Sequence, residues 1–463
     1  MTMPRAALIA LITFIAIAAP RGRLAEGQRQ TGTTAFHCSP APCVLPPLQA
    51  SEGGSIVTDP TIAVDPLNQN ELLLGSADFN CPEQSGVGFH LSTDGGSTWS
   101  RVLCMDAIQH NNIGYLACDE PYLGYDAKGT TYVSGDYCGG TENEAYELVG
   151  VQKSADGTHW SKPAIALHKP GVSTPYLIHL SVDASPSSPW SGAVYVSGVM
   201  VWAQHNNHNQ IWVSHSNDGG AIWNHAAVDR VQKSPSEDRL TRMAVAADGT
   251  VYVTWLRCSS TCSSGHILFS KSTDGGNTWS SPAKIATVHD WDLPNTYERV
   301  YNYPSIAVDN SSGPYSGNLY VAMYNWTGTY LKVQMTRSTD GGTTWSKPMR
   351  LAPESDTHDQ FFPAISVSGD GKVGVSWLDR RNDPNDIDYQ AFGAISTDGG
   401  KSFGQNWQLT TAFSNPKVNG TGNNWMGDYT GNAWKSDNEF VAAWMDSSNG
   451  VDMQEVVGGV RLK

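Results

Sequence analysis

A short phrase returns six times along this 463-residue chain. It reads S-T-D-G-G-S-T-W at Ser92 to Trp99, S-T-D-G-G-N-T-W at Ser272 to Trp279 and S-T-D-G-G-T-T-W at Ser338 to Trp345. Looser copies run from Ser154 to Trp160, Ser216 to Trp223 and Ser396 to Phe403. The central aspartates are Asp94, Asp156, Asp218, Asp274, Asp340 and Asp398, spaced by 62, 62, 56, 66 and 58 residues. A period of that length describes one structural unit copied around or along an axis. The phrase itself has the chemistry of a tight turn. Aspartate accepts backbone N–H groups, glycine permits positive φ, and Thr and Trp close the turn by packing.

A second pattern lies between the phrases. Short runs rich in Val, Ile, Tyr and Trp, divided by Asp-Gly, Lys-Gly or Ser-Gly turns, start near Pro60, Pro121, Leu180, Arg242, Pro304, Phe362 and Met426. Such runs read as strand, turn, strand. A third strand follows each start, and the phrase then turns into a fourth. Four short antiparallel strands at this spacing predict an all-β fold, a β-propeller of four-stranded blades. An open solenoid would need a polar capping repeat, and none is evident. The seventh unit lacks the phrase. Its missing strand is expected from the N-terminal segment near Thr33 to Cys38 or Ser55 to Val57, which favours seven blades over six. The expected organisation is a signal peptide over 1–26, a segment over 27–56 that closes the ring, and the propeller over 57–463.

Composition narrows the compartment and the partners. Formal net charge is -15, with 29 Lys plus Arg against 44 Asp plus Glu and no long basic run. A phosphate backbone would be repelled, so no nucleic-acid partner is expected. Arg5 precedes an apolar run from Ala6 to Ala19, too short for a membrane span and suited to an export signal. The expectation is a secreted, extracellular monomer with no membrane span. Eight cysteines suit an oxidising compartment. Local pairs Cys38–Cys43, Cys81–Cys104, Cys118–Cys138 and Cys258–Cys262 fit the spacing, which leaves other connectivities open. Cys258 and Cys262 lack the second close pair that a zinc site needs.

The phrase S-x-D-x-G-x-T-W resembles the Asp-box, or BNR repeat, of sialidases and other secreted propellers, and the resemblance covers nearly all the chain after Pro60. It implies that the aspartates are structural and lie on the lower face. Functional groups then come from the opposite face, from the segments that lead into each innermost strand and the loops after each second strand. A sialidase site would join three arginines, a tyrosine–glutamate pair and an aspartate acid/base. The arginines that correspond are Arg239 or Arg242, Arg299, and Arg380 or Arg381. Tyr301 or Tyr429 corresponds to the nucleophile, with Glu237 or Glu298 beside it and Asp119 as the acid. The Arg-Ile-Pro motif of sialidases is absent, its nearest forms being Asp59-Pro60-Thr61 and Tyr303-Pro304-Ser305.

Other sugar chemistry fits the same residues. Glycoside hydrolysis needs two carboxyl groups across a bond. Asp119 or Glu120 facing Asp238, Asp379 or Asp428 would supply them. A polysaccharide lyase would neutralise a carboxylate with Arg239, Arg380 and Arg381 and move a proton with His110 or His358 and Tyr429. The predicted catalytic set is therefore Asp119, Glu120, Glu237, Asp238, Asp379, Asp428 and Tyr429. The predicted substrate-binding set is Arg239, Arg242, Arg299, Tyr301, Arg380 and Arg381. The expected partner is a glycan or polysaccharide, and the expected function an exo-glycosidase of sialidase-like type. The alternatives are a lyase or a non-catalytic propeller that binds glycans or proteins. No cofactor or catalytic metal is expected. The one cation the sequence invites is a structural calcium at Asp379 to Asp386, whose hard oxygen donors suit it.

Overall fold

The computed structural model describes residues 36–81, 85–139, 148–169, 173–202, 208–259, 262–420 and 425–463. The expected signal peptide lies outside them. The described chain forms seven antiparallel sheets. Their first, inner strands are Val57–Val64, Ile113–Tyr125, Ser173–Val182, Ser236–Val245, Ser305–Val308, Gln360–Val367 and Gly431–Ser436 for blades 1 to 7. Each inner strand contacts the next, and blade 7 contacts blade 1, so the sheets form a seven-bladed β-propeller. Blade 2 carries an extra strand, Ile108–His110, beside its long inner strand.

Burial explains the sequence of each strand. Second strands such as Leu72–Asp78 and Val373–Asp379 are buried throughout, because neighbouring blades cover both faces. They read as near-continuous apolar runs for that reason. Outermost strands are short and open, as in Asn224–Ala227 of blade 3.

The ring closes through the N-terminal segment. Cys43–Gln49 pairs antiparallel with Gln454–Arg461 and completes blade 7, with Val44 opposite Val460 and Gln49 opposite Val456. The closing strand thus falls between the two segments expected from sequence. Val57 instead begins the inner strand of blade 1. The four cysteine pairs that fit the spacing are all bonded: Cys38–Cys43, Cys81–Cys104, Cys118–Cys138 and Cys258–Cys262.

The recurring phrase is a hydrogen-bonded turn. In blade 5, Ser338 Oγ donates to Asp340 Oδ1 at 2.8 Å, and Asp340 accepts the Thr344 N–H at 2.8 Å and its hydroxyl at 2.6 Å. The same bonds recur at Asp94 and Asp274. They hold the Asp340 carboxyl down at about 2. The turn also grips its neighbour. Lys153, Lys271 and Arg337 each reach the next blade and donate to a phrase glycine carbonyl, at Gly219 (2.6 Å), Gly341 (2.8 Å) and Gly399 (3.0 Å). Trp345 lies edge-on to Phe269 of blade 4, with centroids 5.2 Å apart. The phrase therefore closes a blade and fastens it to the one before.

Gly342 shows how tight that fastening is. It has φ +86, and a Cβ there would lie 2.4 Å from the Phe269 ring. Gly450 also has positive φ but nothing within 4 Å. Gly450→Ala should cost about 1 kcal/mol from the left-handed backbone. Gly342→Ala should cost about 1–3 kcal/mol more, from overpacking against Phe269. Urea unfolding of the two variants checks this, and equal losses would refute the fastening role.

Candidate functional site

Five inner strands carry the same irregularity. Between Thr58 and Thr61, Asp119 and Tyr122, Tyr176 and His179, Arg239 and Arg242, and Phe361 and Ala364, the inner strand advances one residue more than its partner. Inside these bulges Asp59, Glu120, Leu177, Leu240 and Phe362 adopt positive φ between 50° and 62°. A bulge bends its strand and re-aims the side chains around it. Pro60, Pro121 and Pro363 follow three of these residues, and proline suits a bulge because it has no N–H left to pair. Register places the bulges at the opposite end of each blade from the phrase turns, since Val57 pairs with Asp78 while Leu72 pairs with Ser92.

The re-aimed side chains meet across the ring. Arg242 of blade 4 is buried, its guanidinium carbon 3.8 Å from the Tyr303 ring centroid and 4.8 Å from those of Tyr122 and Tyr429. Tyr122 and Tyr429 stack at 5.0 Å. The Tyr303 hydroxyl donates to Glu120 Oε1 at 3.0 Å, joining blades 5 and 2. Arg242 gains cation–π stabilisation where water would otherwise solvate it.

A group of acids adjoins this plug, with Glu120 bonded to Tyr303 and Asp428 next in sequence to Tyr429. Asp428 accepts Arg299 Nη2 on both oxygens, at 2.8 and 2.9 Å. The Asp428 N–H donates to Asp59, whose other oxygen accepts Thr58 Oγ1 at 3.0 Å. Asp119 Oδ1 accepts the Glu120 N–H at 2.8 Å. Burial, and then the Asp428 charge, push Asp119 up to about 6. Burial and neighbouring carboxylates raise Asp59 and Glu120 well above the usual range. Glu120 Oε2 is buried without a hydrogen-bond partner, which favours a neutral carboxyl. Arg299 stays 41% exposed along its side chain and lies 4.2 Å from the Tyr301 ring centroid. It is thus the arginine of this group that solvent reaches.

Of the residues predicted for the site, Asp119, Glu120, Asp428, Tyr429, Arg242, Arg299 and Tyr301 meet here. Tyr429 is buried and its hydroxyl donates to the Pro121 carbonyl at 3.3 Å, so it packs the plug and does not face solvent. The other six have partners of their own. Asp238 accepts Arg257 Nε at 2.7 Å and the Trp255 indole at 3.0 Å, and burial pushes it up to about 6. Asp379 accepts the Trp377 indole at 2.7 Å and the Arg381 N–H at 2.9 Å. Arg381 also binds Asn406 at 2.9 Å. Arg380 is fully buried, donating to Thr296 at 2.8 Å and to the Pro294 and Asp386 carbonyls at 3.0 Å. Arg239 donates to Glu237 at 2.8 Å, though its charge is felt at Tyr301. A three-arginine clamp therefore does not assemble from these side chains: Arg242 is enclosed by tyrosines, Arg380 ties the loop after Asp379 to the 294–296 segment, and Arg381 is held by Asp379 and Asn406 within blade 6.

The acidic run after Asp379 is likewise engaged in turns. Asp383 accepts the backbone N–H groups of Asn385, Ile387 and Asp388, and Asp386 accepts that of Asp359. Among the described residues, no three His, Cys, Asp or Glu side chains are placed to hold a metal ion.

Sequence reasoning missed Asp59 and Tyr303 as members of the group. Aligning the residues before Pro60, Pro121, Pro304 and Pro363 would have found them. Those residues are Asp59, Glu120, Tyr303 and Phe362, one position repeated round the ring.

The acids oppose each other and should cost stability. The Asp119 carboxyl is raised above the unfolded value of about 4. Its contribution is therefore favourable below about pH 4 and is lost as pH rises through about 6. Asp119→Asn should raise Tm at pH 8 and give a smaller gain at pH 5. A gain independent of pH, read by thermal unfolding at the two values, would contradict the raised carboxyl.

Comparisons agree with this fold. Residues 83–375, more than half of the chain, match the BNR repeat-like domain family. No curated protein matches the sequence. Among solved structures, an ulvan lyase of a polysaccharide lyase family is similar at TM-score 0.51 and 11% identity, over 88% of this chain and 94% of that one. An α-L-arabinofuranosidase from Fusarium graminearum aligns at TM-score 0.47 and 12% identity, over 90% and 98% of the two chains. An intramolecular trans-sialidase from Ruminococcus gnavus aligns at 0.45 and 12%, over 70% and 90%. With its repeated aspartate turns in place on successive blades, the chain belongs to the BNR repeat-like family.

Proposed function

We propose that this protein is a secreted, monomeric carbohydrate-active enzyme that hydrolyses a glycosidic bond at the mouth of its ring. One observation carries the reading: Asp119 and Asp428, from blades 2 and 7, share a site in which the first is held near pH 6 and the second is bound by Arg299. Glycoside hydrolysis uses such a pair, one carboxyl acting as acid and the other as carboxylate. Asp119 donates its proton to the glycosidic oxygen as the bond to the anomeric carbon breaks. Asp428 faces the positive charge that develops on that carbon. Water then adds its hydroxyl to the carbon, and its proton returns to Asp119. Arg299, partly exposed beside Tyr301, orients the sugar through hydrogen bonds to its oxygens. Glu120 and Asp59 position these groups through the Glu120 N–H bond to Asp119 and the Asp428 N–H bond to Asp59, and the Arg242–tyrosine plug packs beside them.

The test is turnover on sialosides, aryl glycosides and uronic-acid polysaccharides. Asp119→Asn should lower kcat/KM by roughly 100-fold or more. Wild-type kcat/KM should fall as pH rises through about 6, because the acid is then lost. Cleavage that leaves an unsaturated uronate product would favour a lyase. Glycan binding without turnover of any of them would favour a binding propeller.

A further inference from the structure

The segment that brings Arg299 and Tyr301 to the mouth also carries an aromatic surface that the acid pair does not use. Trp291 is 50% exposed and lies nearly parallel to Trp326, with ring centroids 5.6 Å apart and planes 11° from parallel. Trp326 ends the second strand of blade 5, at the same end of the sheet as the bulges. Its N–H donates to the His289 carbonyl at 3.0 Å, and the His289 N–H donates to Asn325 Oδ1 at 2.8 Å. The backbone beside Trp291 is thus pinned, one face of its indole rests on Trp326, and the remainder is open to solvent.

This surface adjoins the acids. The Tyr324 hydroxyl shares hydrogen bonds with the Asp290 carboxyl and, at 2.9 Å, with the Val300 carbonyl. Asp290 precedes Trp291, and Val300 stands between Arg299 and Tyr301, so both ends of the segment meet at one hydroxyl. Arg239 acts electrostatically on both Asp290 and Tyr301, which sets a cation along the same path. A rigid indole face beside hydrogen-bonding groups suits the apolar face of a sugar ring, whose hydroxyls lie at its rim.

We infer that the Trp291–Trp326 pair is a subsite for a further sugar of an oligosaccharide, adjoining the ring held at Asp119 and Asp428. The inference rests on the hydrolytic reading of those acids for its position, but its binding can be measured without turnover. The pair is fixed before ligand arrives, so little side-chain entropy is lost on binding. The subsite selects chain length, because a monosaccharide at the acids does not reach it.

The experiment titrates oligouronide and arabino-oligosaccharide ladders, from mono- to hexasaccharide, by calorimetry against wild type, Trp291→Ala, Trp291→Phe and Asp119→Asn. Trp291→Ala should weaken binding of the longer members by about tenfold. It should leave the monosaccharide unchanged, and Trp291→Phe should restore part of the loss. Asp119→Asn should keep the dependence on length. Equal weakening at every length would overturn the subsite, as would no effect of Trp291→Ala or no binding of any ladder member by wild type. A change of oligomeric state in Trp291→Ala, read by size-exclusion chromatography, would assign the surface to a second copy of the chain instead. Length-dependent binding by wild type without hydrolysis would leave the subsite standing and remove the hydrolase reading.

Discussion

Blade 7 is completed by residues from the two ends of the described chain. Cys43–Gln49 supplies the strand that Gln454–Arg461 would otherwise leave unpaired, and Ser51 adds a hydroxyl bond to Gln454 at 2.9 Å. Phe36 and Leu45 pack in one cluster with Leu72 of blade 1 and Val441 of blade 7. An unpaired strand edge invites association with other chains; here the N-terminal strand covers the edge of Gln454–Arg461 and becomes the short outer edge of the blade itself. Closure also fixes the distances across the ring. The contacts of Arg242 with tyrosines of blades 2, 5 and 7, and of Glu120 with Tyr303, exist only if the blades meet in a circle.

The centre of that circle concentrates unfavourable electrostatics. Asp59, Asp119 and Glu120 are all raised by burial and by neighbouring negative charge, with Arg242 and Arg299 as the nearby cations. A fold selected for stability alone would place apolar side chains there. The phrase turns at the other end of the blades show the opposite pattern, with carboxylates satisfied by backbone and hydroxyl donors and held below the usual range. Strain at one end and satisfaction at the other is the distribution expected of a scaffold carrying a functional site.

Much of the fold was legible because its signals are local. The phrase specifies its own turn within a few residues, and the cysteine pairs bridge short separations, from Cys258–Cys262 to Cys81–Cys104. The site was legible only in part. Asp119, Glu120, Asp428 and Arg299 stand where the topology expects them. Asp379 and Asp238 stand at equally suggestive positions, yet each accepts an indole N–H and an arginine. Their residue types do not distinguish a catalytic acid from one that satisfies a buried tryptophan. Asp59 was overlooked because a bulge turns its side chain and leaves only the following proline as its trace, and Tyr303 because its partners, Arg242 and Glu120, lie on other blades.

Residues close together along the chain set the repeating unit, its strands and turns and the spacing of the cysteines, while they favoured seven blades over six without settling the count, because blade 7 is completed by Cys43–Gln49 against Gln454–Arg461. Tertiary structure alone decided which polar groups face one another. Glu120 and Tyr303 are 183 residues apart, and Arg299 and Asp428 are 129 apart. Whether such groups pair depends on how the blades meet around the ring and, for Glu120, on the one-residue bulge that turns its side chain. That information belongs to the packed circle of blades, because burial and cross-ring contact act only once it has closed.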